Sequence, residues 1–138
     1  MATGIFISLC AYKALIMSYE NIWETGGVYR KYYNGINGKE IIQAIEDVLS
    51  HKLFNTINYV INDMLQVSEH EVTTSDVITV AKMDREAVLI NPDIKIAIVA
   101  TVPTVKVLAS LYGDLMSNTP YLYKIFDNVD DARVWVGS

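Results

Sequence analysis

Ile57-Asn58-Tyr59-Val60-Ile61-Asn62-Asp63 is the stretch that decides the fold. Tyr59, Val60 and Ile61 are aromatic or β-branched, which is strand composition. A run without polar alternation is the mark of a strand buried on both faces. Such a strand sits inside a sheet with helices on either side, and here it ends in a carboxylate.

The flanking segments supply the helices. Downstream, Thr73-Thr74-Ser75-Asp76 opens a helix predicted to run to about Asn91, with Thr74 or Ser75 as the N-cap whose oxygen accepts a first-turn amide. Asn91-Pro92 ends it, because the residue before proline disfavours helical backbone. Residues 94–100 are a second buried strand. Pro103 then begins a helix at a position that needs no amide donor, and Val105, Leu108, Leu111, Tyr112 and Leu115 form its buried stripe. Asn118-Thr119-Pro120 breaks that helix. Residues 121–126 form the last strand, and Asn128 caps a final helix with Asp131 in the reciprocal position. Upstream, Ile41, Ile42, Ile45, Val48 and Leu49 put a helical stripe on residues 39–51. Before it, residues 18–24 and 27–34 are strands joined through Thr25-Gly26-Gly27, a hairpin signal. Residues 64–71 read as a polar, irregular connection.

The order is therefore β-β-α-β-α-β-α-β-α. Helical crossovers imply parallel pairing with right-handed connections. The expected class is α/β, a mixed, mostly parallel five-stranded sheet packed with four helices. Residues 17–138 are expected to form one domain, and residues 1–16 an apolar extension packed on it or on a second subunit. The apolar run that begins at Gly4 is too short to span a bilayer, and its one charge, Lys13, lies inside it, unlike a secretion signal. Met17, where the regular pattern starts, reads as a natural beginning.

With 138 residues, 51% hydrophobic and 20% charged, the chain is long enough to bury a core without staples. A net charge of −5 disfavours nucleic acid or an anionic membrane as main partner. Cys10 stands alone, so no internal disulfide forms, as in a reducing cytoplasm, and it reads as a small buried hydrophobe.

In open α/β sheets, ligands gather at the carboxyl ends of the strands. That rim is expected to hold Asp63, the 66–71 loop, the helix start at Thr73, Thr74, Ser75 and Asp76, and Thr101, Thr104 and Asp127. Asp63 reads either as a metal ligand, a base or a phosphate-side anchor, or as an acceptor for the amides of the next loop. The Thr73–Ser75 hydroxyls read either as caps or as phospho-acceptors, where added charge gains from the helix dipole. Asp84 interrupts the stripe of Val77, Ala81 and Val88. It lies at the stripe's wet margin or, if buried, needs a partner, and Arg85 points the wrong way. The tyrosines of the hairpin (Tyr19, Tyr29, Tyr32, Tyr33) and last strand (Tyr121, Tyr123) suit an oligomer contact or plain strand composition. His51 and His70 lack ligand spacing, Glu69-His70-Glu71 does not converge on one ion, and no phosphate loop or nucleophile elbow occurs. No metal, cofactor or catalytic residue is expected.

Residues 17–24, Gly27-Val28-Tyr29-Arg30, Tyr59–Asp63, residues 94–99 and Phe126 with Asp131-Ala132-Arg133-Val134-Trp135 together resemble the SpoIIAA-like branch of the STAS domain family, which is also similar to the lipid-binding CRAL-TRIO fold. STAS domains include bacterial anti-sigma-factor antagonists. In these, a serine after an aspartate, at the start of the helix that follows the central strand, is phosphorylated by a partner kinase. Thr73-Thr74-Ser75-Asp76 takes that place here, without the family's Asp-Ser-Ser-Gly order or its glycine. The resemblance implies a cytoplasmic, non-enzymatic regulatory module, a homodimer, that binds a protein partner such as a kinase or anti-sigma-like factor through Thr73–Asp76. The alternative it leaves is a carrier of a small apolar or anionic, lipid-like ligand, held between the second or third helix and the sheet.

Overall fold

The computed structural model describes residues 18–138. The predicted extension over 1–16, Cys10 and the start at Met17 lie outside them. The strands are β1 (Tyr19–Glu24), β2 (Gly27–Tyr32), β3 (Tyr59–Asp63), β4 (Lys95–Val99) and β5 (Leu122–Phe126). The helices are α1 (Gly38–Leu49), α2 (Thr74–Ala87), α3 (Pro103–Met116) and α4 (Val129–Val136), with a short 3-10 turn at Phe54–Thr56. One sheet in the order β1-β2-β3-β4-β5 is antiparallel between β1 and β2 and parallel elsewhere. The α/β order read from the sequence is the order observed.

Local chemistry sets the boundaries. The hairpin closes at Thr25-Gly26, with Glu24 opposite Gly27. Gly26 takes φ +81°, a left-handed conformation that side chains resist. A reciprocal cap starts α1: Asn37 Oδ1 accepts from the Glu40 amide at 2.9 Å, and Glu40 Oε1 accepts from the Asn37 amide at 3.1 Å. The second helix stops at Ala87, short of the expected Asn91. Asn91 is instead buried and donates through Nδ2 to the carbonyls of Phe54 (2.9 Å) and Ile57 (2.8 Å), tying the helix exit to the entry of β3. The connection after β3 is also more ordered than expected. Asn34 Oδ1 accepts from the amides of Ser68 (2.9 Å) and Glu69 (2.7 Å), and Asn37 pairs with Glu71 as a parallel bridge.

Strand parity divides the core. Val28, Arg30 and Tyr32 alternate with Tyr29 and Lys31, and Val60 and Asn62 alternate with Tyr59, Ile61 and Asp63. The first set, with Ile96 and Ile98, faces α1, α2 and α3. The second face carries Tyr59, Ile61, Ala97, Val99 and Phe126, covered by Ala132 and Val136 of α4. An ion pair anchors α4 to the hairpin: Arg133 donates to both Glu24 oxygens at 2.8 and 2.7 Å, and Tyr59 Oη donates to the same carboxylate at 2.5 Å.

Candidate functional site

The rim does not assemble as a single site. Asp63 is buried, but it lies on the α4 face, where it accepts from Tyr29 Oη and from the Leu65 amide at 3.0 Å. It therefore serves the loop-amide role and turns away from the start of α2. Thr101, Thr104 and Asp127 are exposed, and Asp127 pairs with Lys106 at 3.2 Å.

At the start of α2 the cap is Thr73, in place of the expected Thr74 or Ser75. Its hydroxyl accepts from the Asp76 amide at 3.2 Å, and Asp76 Oδ2 accepts from the Thr73 amide at 2.9 Å. The reciprocal box selects Thr73 because only that position places a carboxylate three residues on. Thr74 and Ser75 are left exposed on the first turn. Asp76 packs over Gly38, whose missing Cβ makes room for the carboxylate and brings the starts of α1 and α2 together.

What the fold does form is a partly open cavity of about 110 Å³ between the sheet and the α1–α3 layer. The sheet contributes Arg30, Tyr32, Val60, Asn62, Ile96 and Ile98 to its wall. Ile41, Ile45 and Val48 come from α1, Asp76, Val77, Val80 and Asp84 from α2, and Val105, Leu108, Ala109 and Tyr112 from α3. Met64, Val67, His70 and Val72 of the post-β3 connection complete it. Most of this wall is aliphatic, as expected where three amphipathic stripes meet one sheet face.

Arg30, Tyr32, Asn62, Asp84 and Tyr112 form one polar neighbourhood within this wall. Arg30 is 4% exposed; Nε donates to Asn21 Oδ1 at 2.7 Å and Nη1 to Asn62 Oδ1 at 3.0 Å, with Tyr32 Oη at 3.5 Å. Asp84 accepts from Tyr112 Oη at 2.6 Å. Its residue as a whole is half-buried, yet its carboxyl turns inward to line the cavity. This is the buried alternative of the sequence reading, with Tyr112 as the partner. Burial raises the Asp84 carboxyl above its ordinary pKa, against the Tyr112 hydrogen bond and the Arg30 charge. Burial likewise raises Tyr112 well above its ordinary value, with Asp84 adding to the effect. Tyr121 is raised by burial and by Asp84, and its hydroxyl donates to the Asn91 carbonyl at 2.8 Å.

Against known proteins, no family model and no curated protein matches the chain. Solved structures do. The anti-sigma factor antagonist SpoIIAA in its unphosphorylated form superposes with a TM-score of 0.55 at 11% identity, over 84% of this chain and 94% of that one. An uncharacterised protein of the DUF3478 family from Shewanella loihica PV-4, described as having a SpoIIAA-like fold, gives 0.53 at 12% identity, over 86% and 91%. The fold is SpoIIAA-like. At these identities the likeness is one of fold, and it does not by itself assign the cavity or the start of α2 a role.

Arg30 is the site residue that the sequence reading did not single out. Its signal was present, because Arg30 shares strand parity with Val28 and Tyr32 and so points into the core. Asn62 has the same parity with Val60. The tyrosines considered for an oligomer contact are used largely within the chain. Tyr32, Tyr33 and Tyr121 are buried, and Tyr19 donates to Asp47 at 2.6 Å. Among the described residues there is no group of three or more His, Cys, Asp or Glu side chains placed to hold a metal, and no helix long and apolar enough to cross a membrane.

Proposed function

We propose that this chain is a non-enzymatic binding module that encloses a small, largely apolar molecule between its sheet and the α1–α3 layer. The observation that carries the reading is the cavity itself. Protein interiors are close-packed, and voids larger than a water are few. About 110 Å³ is several times the volume of one water in the liquid, ~30 Å³. An apolar wall with a few convergent polar groups is the usual make-up of a small-molecule site.

A second reading, that the module also engages a protein partner through the α2 start, draws on two observations. The fold is shared with an anti-sigma factor antagonist, and Thr74 and Ser75 are exposed beside Asp76, which lines the cavity. Occupancy of the cavity and the posture of the α2 start are then linked through Asp76 and Val77. Phosphate mapped by mass spectrometry to Thr74 or Ser75 in protein from its own host supports this second reading, and unmodified peptides at full coverage count against it.

Thermal melts test the first reading. A panel of small molecules, branched and linear, charged and neutral, is added to the full chain. A ligand at a hundredfold its Kd stabilises the native state by ~2.7 kcal/mol, so at least one compound raises Tm in a saturable way. A panel without effect refutes the reading.

A further inference from the structure

Arg30 lines the cavity, and among the described residues one arm of its guanidinium has no acceptor. Its Nε and Nη1 are held by Asn21, Asn62 and Tyr32, but no described residue accepts from Nη2. Among the described residues, no carboxylate comes within ion-pairing distance of it; the ion pairs are Lys106–Asp127 and Arg133–Glu24. A buried cation without a counter-ion is costly, and the cost is relieved by an anion with good hydrogen-bond geometry. Asp84 is the nearby candidate. It stays with Tyr112, and burial works against its charged form. The three bonds to Asn21, Asn62 and Tyr32 also fix the guanidinium plane, so its remaining Nη2 group is pre-organised.

We infer that Arg30 is the anion anchor of the cavity, and that its ligand is a short-chain monocarboxylate whose alkyl end lies against Ile45, Val80, Ile96 and Ile98. This deepens the reading that the cavity holds a small molecule and rests on it. Charge favours a carboxylate: an oxygen accepts from the remaining Nη2 group in a charge-assisted hydrogen bond, and a single negative charge balances a single free cation. A phosphate dianion would bring charge that one arginine does not balance, beside the Asp84 carboxyl. Volume favours a short chain. An apolar cavity of about 150 Å³ holds benzene, so 110 Å³ accommodates about four to five heavy atoms on the same scale. Acetate and propionate, with four and five heavy atoms, are of this size, and a fatty acid of ten carbons is not.

Calorimetric titration of the full chain with propionate, its neutral isostere propionamide, and decanoate tests the inference. Propionate is expected to bind about tenfold or more tighter than the amide, as for a hydrogen bond to a charged group, and tighter than decanoate. It should also shift the Arg30 Nε–H resonance. In Arg30→Met, checked for fold by circular dichroism, the two isosteres should bind alike. If wild-type protein takes propionamide as well as propionate, the anion anchor is wrong while the cavity reading survives. If decanoate binds as tightly, the size argument fails. If neither isostere binds and no neutral compound does, both readings fall together. The wild-type comparison decides even if Arg30→Met does not fold.

Discussion

Ala109→Leu converts the cavity into a measurable sign. Ala109 lies on α3, is 6% exposed and lines the cavity wall. Leucine adds three carbons, and at ~0.8 kcal/mol per buried CH₂ they bring ~2.4 kcal/mol if they land in empty space. An independent route gives a similar figure: eliminating 110 Å³ at ~24 cal/mol per Å³ recovers at most ~2.6 kcal/mol. Helix propensity scarcely enters, because Leu ranks just below Ala. Lost rotamer freedom takes back ~0.5–1 kcal/mol. The net expectation is stabilisation by ~1–2 kcal/mol in urea melts, with an unchanged m-value. The filled variant should also lose its response to small ligands. If the space were already packed, the same three carbons would force strain and cost ~1–3 kcal/mol. Destabilisation of that size refutes the cavity argument, since the two outcomes differ in sign.

Other perturbations probe the surrounding structure. Arg133, by its hydrogen bonds, holds the Glu24 carboxyl below its ordinary pKa of 4.5. The resulting stability is present above that value and lost as pH falls through the folded-state pKa; Glu24→Gln should flatten this acid limb. With the pair 31% and 24% exposed, its worth is about 1 kcal/mol or less, read by urea melts at stepped pH. Asp84 has the opposite sign. Its folded-state pKa lies above the ordinary 3.8, so stability declines as pH rises between the two values. Asp84→Asn should remove that decline relative to wild type, and an unchanged difference across the window would contradict it. Gly38→Ala puts a methyl where the Asp76 carboxylate sits, so it should displace the cap of α2 and cost about 1 kcal/mol. Amide exchange should then speed up in the first turn of α2 and not in α4.

The strands and helices were legible because their signals are local. The run Tyr59–Asp63 is buried throughout and the run at residues 94–100 is buried except at Lys95, and the helices carry apolar stripes at helical spacing. The same burial hid the facing of Asp63: in a strand with both faces covered, composition does not tell which parity meets which layer of helices. Arg30 was legible by parity, but its partner Asn62 is 32 residues away and appears only when β2 pairs with β3. The ordered connection after β3 was missed because backbone bonds to Glu69 and Glu71, along with the Asn34 side chain, hold it, and no composition rule marks them. Thr73-Thr74-Ser75 offers three cap-capable residues in a row, and the spacing to Asp76 decides among them. The cavity belongs to no segment. It is the volume left where α1, α2 and α3 meet the sheet, and such a remainder is set by packing.

Methyl-detected NMR of the full chain titrated with propionate tests the central claim most directly, because the two faces of the sheet serve as signal and control. The account predicts saturable shifts in the methyls of Ile45, Val80, Ile96, Ile98 and Val105, which line the cavity. Those of Ile61, Val99 and Val136, on the α4 face, should stay in place. Shifts spread evenly over both faces, or none at all, would contradict it.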